Sequence, residues 1–248
     1  MIALETQDLS VSFGGVHAVS GISLSIARGE RRVILGPNGA GKTTLFNMIG
    51  GQIRPDRGRI AMFGSNITAL APYHRARVGL ARTFQVTTLF ADLTVEENIR
   101  LAVQAFSASR YSLLRPETAF KDLVDQTDSL LAQWRFEGER SVKVSELSYG
   151  EQRKLEIAMA LAHEPRLLLL DEPTAGLSTL ETEKVVGLIR GLSRDVTVMV
   201  IEHDMDVAFE IGDRFTIMNQ GQVLMEGPAD VIRSNPEIQS IYFGEDEL

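Results

Sequence analysis

The stretch GPNGAGKT, Gly36 to Thr43, follows the apolar run RRVIL and leads into TLFNMIG. It fills every fixed position of the pattern G-x-x-x-x-G-K-[ST], in the strand-then-helix setting that the pattern requires. Its glycines let successive backbone N–H groups turn inward around a β-phosphate. Gly36, Pro37, Asn38, Gly39, Ala40 and Gly41 form the wall of such a loop. The helix starting at its end adds the partial positive charge of an N-terminus. Lys42 can reach between the β- and γ-phosphates, Thr43 can put its hydroxyl on Mg²⁺, and Thr44 can serve the α-phosphate side. The plainer alternative is a glycine-rich turn with an ordinary helix cap.

A matching acidic half weighs against that alternative. RLLLLDEP, Arg166 to Pro173, is a fully apolar run ending in two carboxylates. Such a run predicts a strand in the middle of a sheet covered on both faces. Asp171 at its end would hold Mg²⁺ through water, and Glu172 would orient and deprotonate an attacking water. Adjacent carboxylates disfavour one another, and Mg²⁺ and solvent offset that repulsion. Gln85 ends ARTFQ, where a neutral amide can touch Mg²⁺ or the attacking water and still withdraw. His203 ends VTVMVIEH, where an imidazole can donate to the γ-phosphate and hold the water and Glu172 in place. Phe13 either stacks on adenine or is a core aromatic of the early sheet.

Working outward, strand and helix patterns alternate along the 248 residues. Short strands are expected over 2–6 and 22–26, joined through the glycine pair of SFGGVHAVSG, and then over 31–37, 59–63 and 79–84. From 95 to about 162 helical periodicity dominates, with Pro116 parting the first two helices. A helix over 180–192 leads to the apolar strand VTVMVIEHD, and FTIMNQGQVLMEG predicts a hairpin turning at NQG. The expected fold is α/β: a P-loop nucleotide-binding core over 1–94 and 163–235, with an antiparallel β subdomain, an inserted helical subdomain over 95–162 and a tail over 236–248. The 44% hydrophobic content supports a real core, and the formal net charge of -8 argues against nonspecific nucleic-acid binding. There is no cysteine, so disulfide and thiol chemistry are excluded. No apolar run approaches the length of a membrane span, and MIALETQDLSVSF lacks a signal pattern. His17, His74 and His163 are too scattered to show a metal spacing.

In order and spacing these motifs resemble the ATP-binding-cassette ATPases, the motor subunits of membrane transporters, over nearly the whole chain. LSYGEQ, Leu147 to Gln152, resembles the family signature, whose usual form is LSGGQ; Tyr149 stands in place of a glycine and Glu151 in place of the glutamine. The segments FGGVHAVSGISLSI, ARTFQ, LSYGEQRKLEIAMALAHEPRLLLLDEPTAGL, IEHDM and IYFGE are similar to the ATPases of branched-chain amino-acid importers and their urea and amide relatives. The resemblance implies two ATPase domains, of the same or related chains, closing head to tail over two ATP molecules. Ser148, Gly150 and Glu151 would then complete the partner's site, with Ser148 and the Gly150 backbone on its γ-phosphate. It further implies docking on transmembrane permease subunits at the cytoplasmic face of a membrane, an extracytoplasmic solute-binding protein and no nucleic acid. An exporter motor for lipid or lipopolysaccharide, or a nontransport clamp on nucleic acid or the ribosome, stay open as alternatives. One departure stands out: PTAGLS ends in Ser178 where the family usually has aspartate.

Overall fold

The leucines of RLLLLDEP part into two cores. The computed structural model describes residues 1–83, 89–105, 121–236 and 238. Gln85, Pro116 and the terminal IYFGE fall outside them. Within them, β3 (Arg31–Leu35), β6 (Leu80–Arg82), β7 (Leu167–Asp171), β8 (Thr197–Ile201), β9 (Arg214–Asn219) and β10 (Gln222–Gly227) form one sheet in the order β10-β9-β3-β8-β7-β6. Only β10 runs antiparallel to its neighbour. Successive side chains of a strand face opposite ways, so Leu168 and Leu170, with Val33, Leu35, Val198 and Val200, enter one core. Leu167 and Leu169, with Ile34, Met199 and Ile201, enter the other. Each such burial stabilises by about 1.5–3 kcal/mol, which favours an apolar residue at nearly every position of a central strand.

A second, antiparallel sheet covers the second core in the order β2-β1-β4-β5, with β1 spanning Ile2–Phe13, β2 Val16–Ala27, β4 Arg57–Met62 and β5 Ser65–Asn66. β1 and β2 are 12 residues each, far longer than the stretches 2–6 and 22–26 expected from apolar content. One face of this sheet is wet, so polar residues alternate with apolar ones and hide the strand in a composition reading. Register shifts along the β1–β2 pair break the alternation further.

Helix α1 (Lys42–Gly50) lies in the second core with this sheet. After it come α2 (Pro72–Arg77), α3 (Val95–Gln104), α4 (Lys121–Gln133), α5 (Tyr149–Leu161), α6 (Thr179–Gly191), α7 (Met205–Ile211) and α8 (Ala229–Arg233). α3 opens on a capping box of Thr94 with Glu97. It packs on α4 and α5 around Trp134 and Phe136, which extend the first core. α2 and α7 were not expected: one starts at a proline and lasts six residues, the other follows a strand end within three residues. Among the described residues no helix is long and apolar enough to cross a membrane.

Candidate functional site

The carboxyl ends of three adjacent parallel strands bring the expected chemistry together. β3 pairs with β8 through Ile34 and Ile201, and β8 pairs with β7 through Ile201 and Asp171. The phosphate loop therefore leaves β3, His203 follows β8, and Asp171 and Glu172 close β7, all at one edge of the sheet. This is where open α/β sheets bind ligands.

Two close approaches shape the loop. A Cβ on Gly36 would lie 2.2 Å from the Met218 carbonyl oxygen of β9, and one on Gly41 2.3 Å from the Ala18 oxygen of β2. Both positions have positive φ, 154° and 94°, so glycine is required there on two grounds. The turn between β9 and β10 ties the same parts together, since the Gly221 N–H donates to the Ala40 oxygen at 3.0 Å and its oxygen accepts from the Ser20 N–H at 2.8 Å. Pro37, Asn38 and Gly39 are exposed, whereas Ala40 is buried. Gly41 begins α1 with no side chain capping it and no acidic residue in its first turn, which keeps that end suited to an anion. The Thr43 side chain is exposed and Thr44 half-buried beside it.

The Lys42 ammonium is buried, donating to the oxygens of Gly36 at 2.5 Å and Pro37 at 3.0 Å. Burial lowers its pKa from the ordinary value, and the charges of Glu172 and Asp171 oppose that. The three groups thus lie in one electrostatic field. Asp171 is 1% exposed, and burial raises its pKa against the pull of Arg82. Arg82 donates to it at 3.1 Å and to Asn47 at 2.7 Å.

Glu172 has φ of 45°, a conformation seldom taken by a side-chain-bearing residue. Its N–H donates to the Ile201 oxygen at 3.0 Å, and its oxygen accepts from Arg153 at 2.8 Å. Strained backbone held from both sides is how a fold over-determines the aim of one side chain. His203 is exposed, and its N–H donates at 3.3 Å to Glu202, which is fully buried. Phe13 is 50% exposed at the end of β1, which removes the core-aromatic alternative. The same hairpin carries Ala18, whose oxygen lies against Gly41 of the phosphate loop.

A family model described as "ABC transporter" matches residues 19–175. The chain belongs to the ABC transporter family. It is an ATP-hydrolysing motor subunit of that family. The high-affinity branched-chain amino acid transport ATP-binding protein BraF of Pseudomonas aeruginosa is 38% identical to it, over 98% of each chain. LivG of Escherichia coli K12, described in the same words, is 36% identical, also over 98% of each. A solved nucleotide-free ATP-binding cassette of an ABC transporter superposes with a TM-score of 0.87 at 28% identity, covering 99% of this chain and 100% of that one. A dimeric cassette bound to ADP and Pi superposes at 0.75 and 27%, covering 91% and 98%.

The signature of this ABC ATPase heads α5. Ser148 and Glu151 form a capping box: the Ser148 N–H donates to Glu151 at 2.9 Å and the Glu151 N–H to the Ser148 hydroxyl at 3.3 Å. That reciprocal pair satisfies two donors at the head of α5, a role that a glutamine at this position fills equally. Tyr149 is exposed.

Four residues of the cassette escaped the sequence reading. Arg82 holds Asp171. Arg153 spans from α5 to the Glu172 and Pro173 oxygens, at 2.8 and 3.0 Å, and pairs with Glu156 at 2.6 Å. Glu202 accepts from the Thr174 hydroxyl at 2.8 Å. Glu181 accepts from the Gly150 N–H at 3.0 Å. Each acts across many residues of chain; Arg82 and Glu202 leave a charge in a largely apolar stretch, whereas Arg153 and Glu181 stand among other polar residues and leave no local trace.

Among the described residues no cluster of His, Asp and Glu could hold a metal alone. Mg²⁺ suits such a site nonetheless, because it commonly takes one or two protein oxygens and fills its shell from phosphate and water. Thr43 and Asp171 supply hard oxygen donors of that kind.

Proposed function

We propose that this chain is the Mg²⁺-dependent ATPase of an importer for branched-chain amino acids or a related small polar solute, working at the cytoplasmic face as half of a nucleotide sandwich. The convergence of the phosphate loop, Asp171, Glu172 and His203 at one sheet edge carries the reading of the reaction. Near-full-length similarity to BraF and LivG supports the solute class.

In this reading Lys42 and the loop N–H groups, with Thr44, hold the phosphates, and Phe13 stacks on adenine. Thr43 and Asp171, with Gln85, hold Mg²⁺, which when bound neutralises charge building on the phosphate oxygens. Glu172 takes the proton of the attacking water as it approaches the γ-phosphate in line, and His203 donates to that phosphate. Ser148, the Gly150 N–H and Glu151 belong to the site of the facing subunit, a copy or a related chain. Loss of the γ-phosphate removes the bridge, and the opening is passed to the permease subunits, with an extracytoplasmic solute-binding protein delivering cargo to them. α3, α4 and α5 would form the helical subdomain of the cassette.

Glu172→Gln keeps the shape of the site, so it is expected to bind Mg-ATP normally, to lose turnover by two or more orders of magnitude and to trap a closed dimer. Nucleotide affinity and phosphate release, measured on the same preparation, decide this; equal losses in both would count against Glu172 as the base. The solute is decided in liposomes carrying the chain with its permease and binding protein. Leucine uptake should require ATP, and ATP-driven uptake of neither leucine nor urea or amides would end the importer assignment.

A further inference from the structure

The third residue of α6 reaches a helix to which it does not belong. One oxygen of the Glu181 carboxylate accepts from the Ser178 N–H at 3.1 Å and the Ser178 hydroxyl at 2.7 Å. The other accepts from the Gly150 N–H at 3.0 Å. The fit is close: a Cβ on Gly150 would lie 2.8 Å from Glu181 Cγ. These bonds, the Ser178 hydroxyl first, hold the carboxyl pKa down to about 2, so the group is charged throughout the physiological range. A capping box at the start of α6 needs only the first oxygen. The second is committed to the signature, 31 residues away in sequence.

Ser148 and the Gly150 N–H are the donors that the proposed function gives to the γ-phosphate of the facing subunit, and the role of Glu181 rests on that reading. A carboxylate and a phosphate cannot both hold the Gly150 N–H, and their like charges repel at that range. We propose that Glu181 guards this half-site: it occupies the Gly150 N–H of the signature until an incoming γ-phosphate displaces it, and so sets the ATP concentration at which two chains close. Ser178 is part of the device. Its hydroxyl donates to Glu181, where the aspartate usual at this position would repel it. The serine and the guarding carboxylate therefore belong together, and the departure at Ser178 is a donor gained as well as a charge lost.

The test uses Glu172→Gln chains titrated with Mg-ATP, association being followed by light scattering. Glu181→Gln keeps the shape without the charge, Glu181→Ala removes both, and Ser178→Ala removes only the hydroxyl that steadies the carboxylate. The ATP midpoint for association is expected to fall roughly three-fold or more in both Glu181 variants, and by less in Ser178→Ala. ADP affinity, which needs no signature, should stay the same. Loss of a merely structural cap would lower thermal stability and leave the midpoint unchanged or raise it, and that result overturns the inference. Glu181→Gln keeps the test sharp if the alanine variant folds poorly, since an unchanged or raised midpoint in it is equally decisive. A Glu172→Gln parent that binds ATP and never associates removes the nucleotide-sandwich reading, and this inference with it. An associating parent with indifferent variants removes this inference alone.

Discussion

Glu202 is a glutamate sealed beneath an exposed histidine. Its oxygens meet the Thr174 hydroxyl and the His203 N–H, and burial raises its pKa above the ordinary carboxylate value. A carboxyl whose folded-state pKa is raised binds protons more tightly folded than unfolded. The stability it lends is whole below the unfolded value, near 4.3, and is lost as pH rises through the folded value. Glu202→Gln carries no charge at any pH and retains an oxygen for Thr174. It should match the parent in thermal stability near pH 4 and exceed it by a few degrees at pH 8, with melting curves across that range as the check. A gap that does not widen with pH would mean the carboxyl is not the titrating cause. Such a residue was invisible in IEHD, where one glutamate looks like any other. GPNGAGKT was legible because its roles lie in consecutive backbone groups, whereas Glu202, Arg82 and Arg153 take theirs from partners brought close only by the fold.

Among the elements, α1 is set at both ends. Its first turn is left open to an anion, and its last turn is closed by Arg75. That guanidinium is 1% exposed and donates to the oxygens of Met48 and Ile49, each at 2.6 Å, of Leu70 at 2.9 Å and of Thr68 at 3.0 Å. Burial lowers its pKa to about 10, which leaves it charged at pH 7. A cation at a helix C-terminus complements the helix dipole. Arg75→Ala should cost about 3 kcal/mol or more, because several buried oxygens lose their donors together. Arg75→Lys should recover part of that, since an ammonium has donors but not the planar fork. Urea unfolding midpoints measure both, and a loss below about 1 kcal/mol would show that water replaces the guanidinium. The central strands β7 and β8 could be read from the sequence because a short, unbroken apolar run that ends in charged residues suits little except a strand covered on both faces. β1 and β2 could not be read at full length, since each hides half of its residues and wets the rest.

For the whole molecule, the proposed function divides each active site between two chains. Take a dimer in which both chains carry Glu172→Gln. Place Lys42→Ala in one subunit and Ser148→Arg in the other, so that both lesions fall in one shared site and the opposite site stays whole. Then place both lesions in one subunit, so that each shared site carries one. The two dimers have the same composition and differ only in which surface meets which phosphate. The first should occlude up to one ATP per dimer and the second close to none, counted on purified heterodimers. Equal counts near one would mean that LSYGEQ is a helix cap and contributes to neither ATP site, and none in the first with one in the second would mean that each chain builds its own complete site.

The turn between β9 and β10 reaches past its own hairpin. Through Gly221 it grips Ala40 of the phosphate loop on one side and Ser20 of β2 on the other. The hairpin that bears Phe13 and the loop that bears Lys42 are thereby set at one fixed opening, like the jaws of a gauge. A gauge measures span. In the proposed function the base would meet the face of the Phe13 ring, and every nucleobase offers such a face. This chain should then discriminate strongly by the number of phosphates and weakly between adenine and guanine.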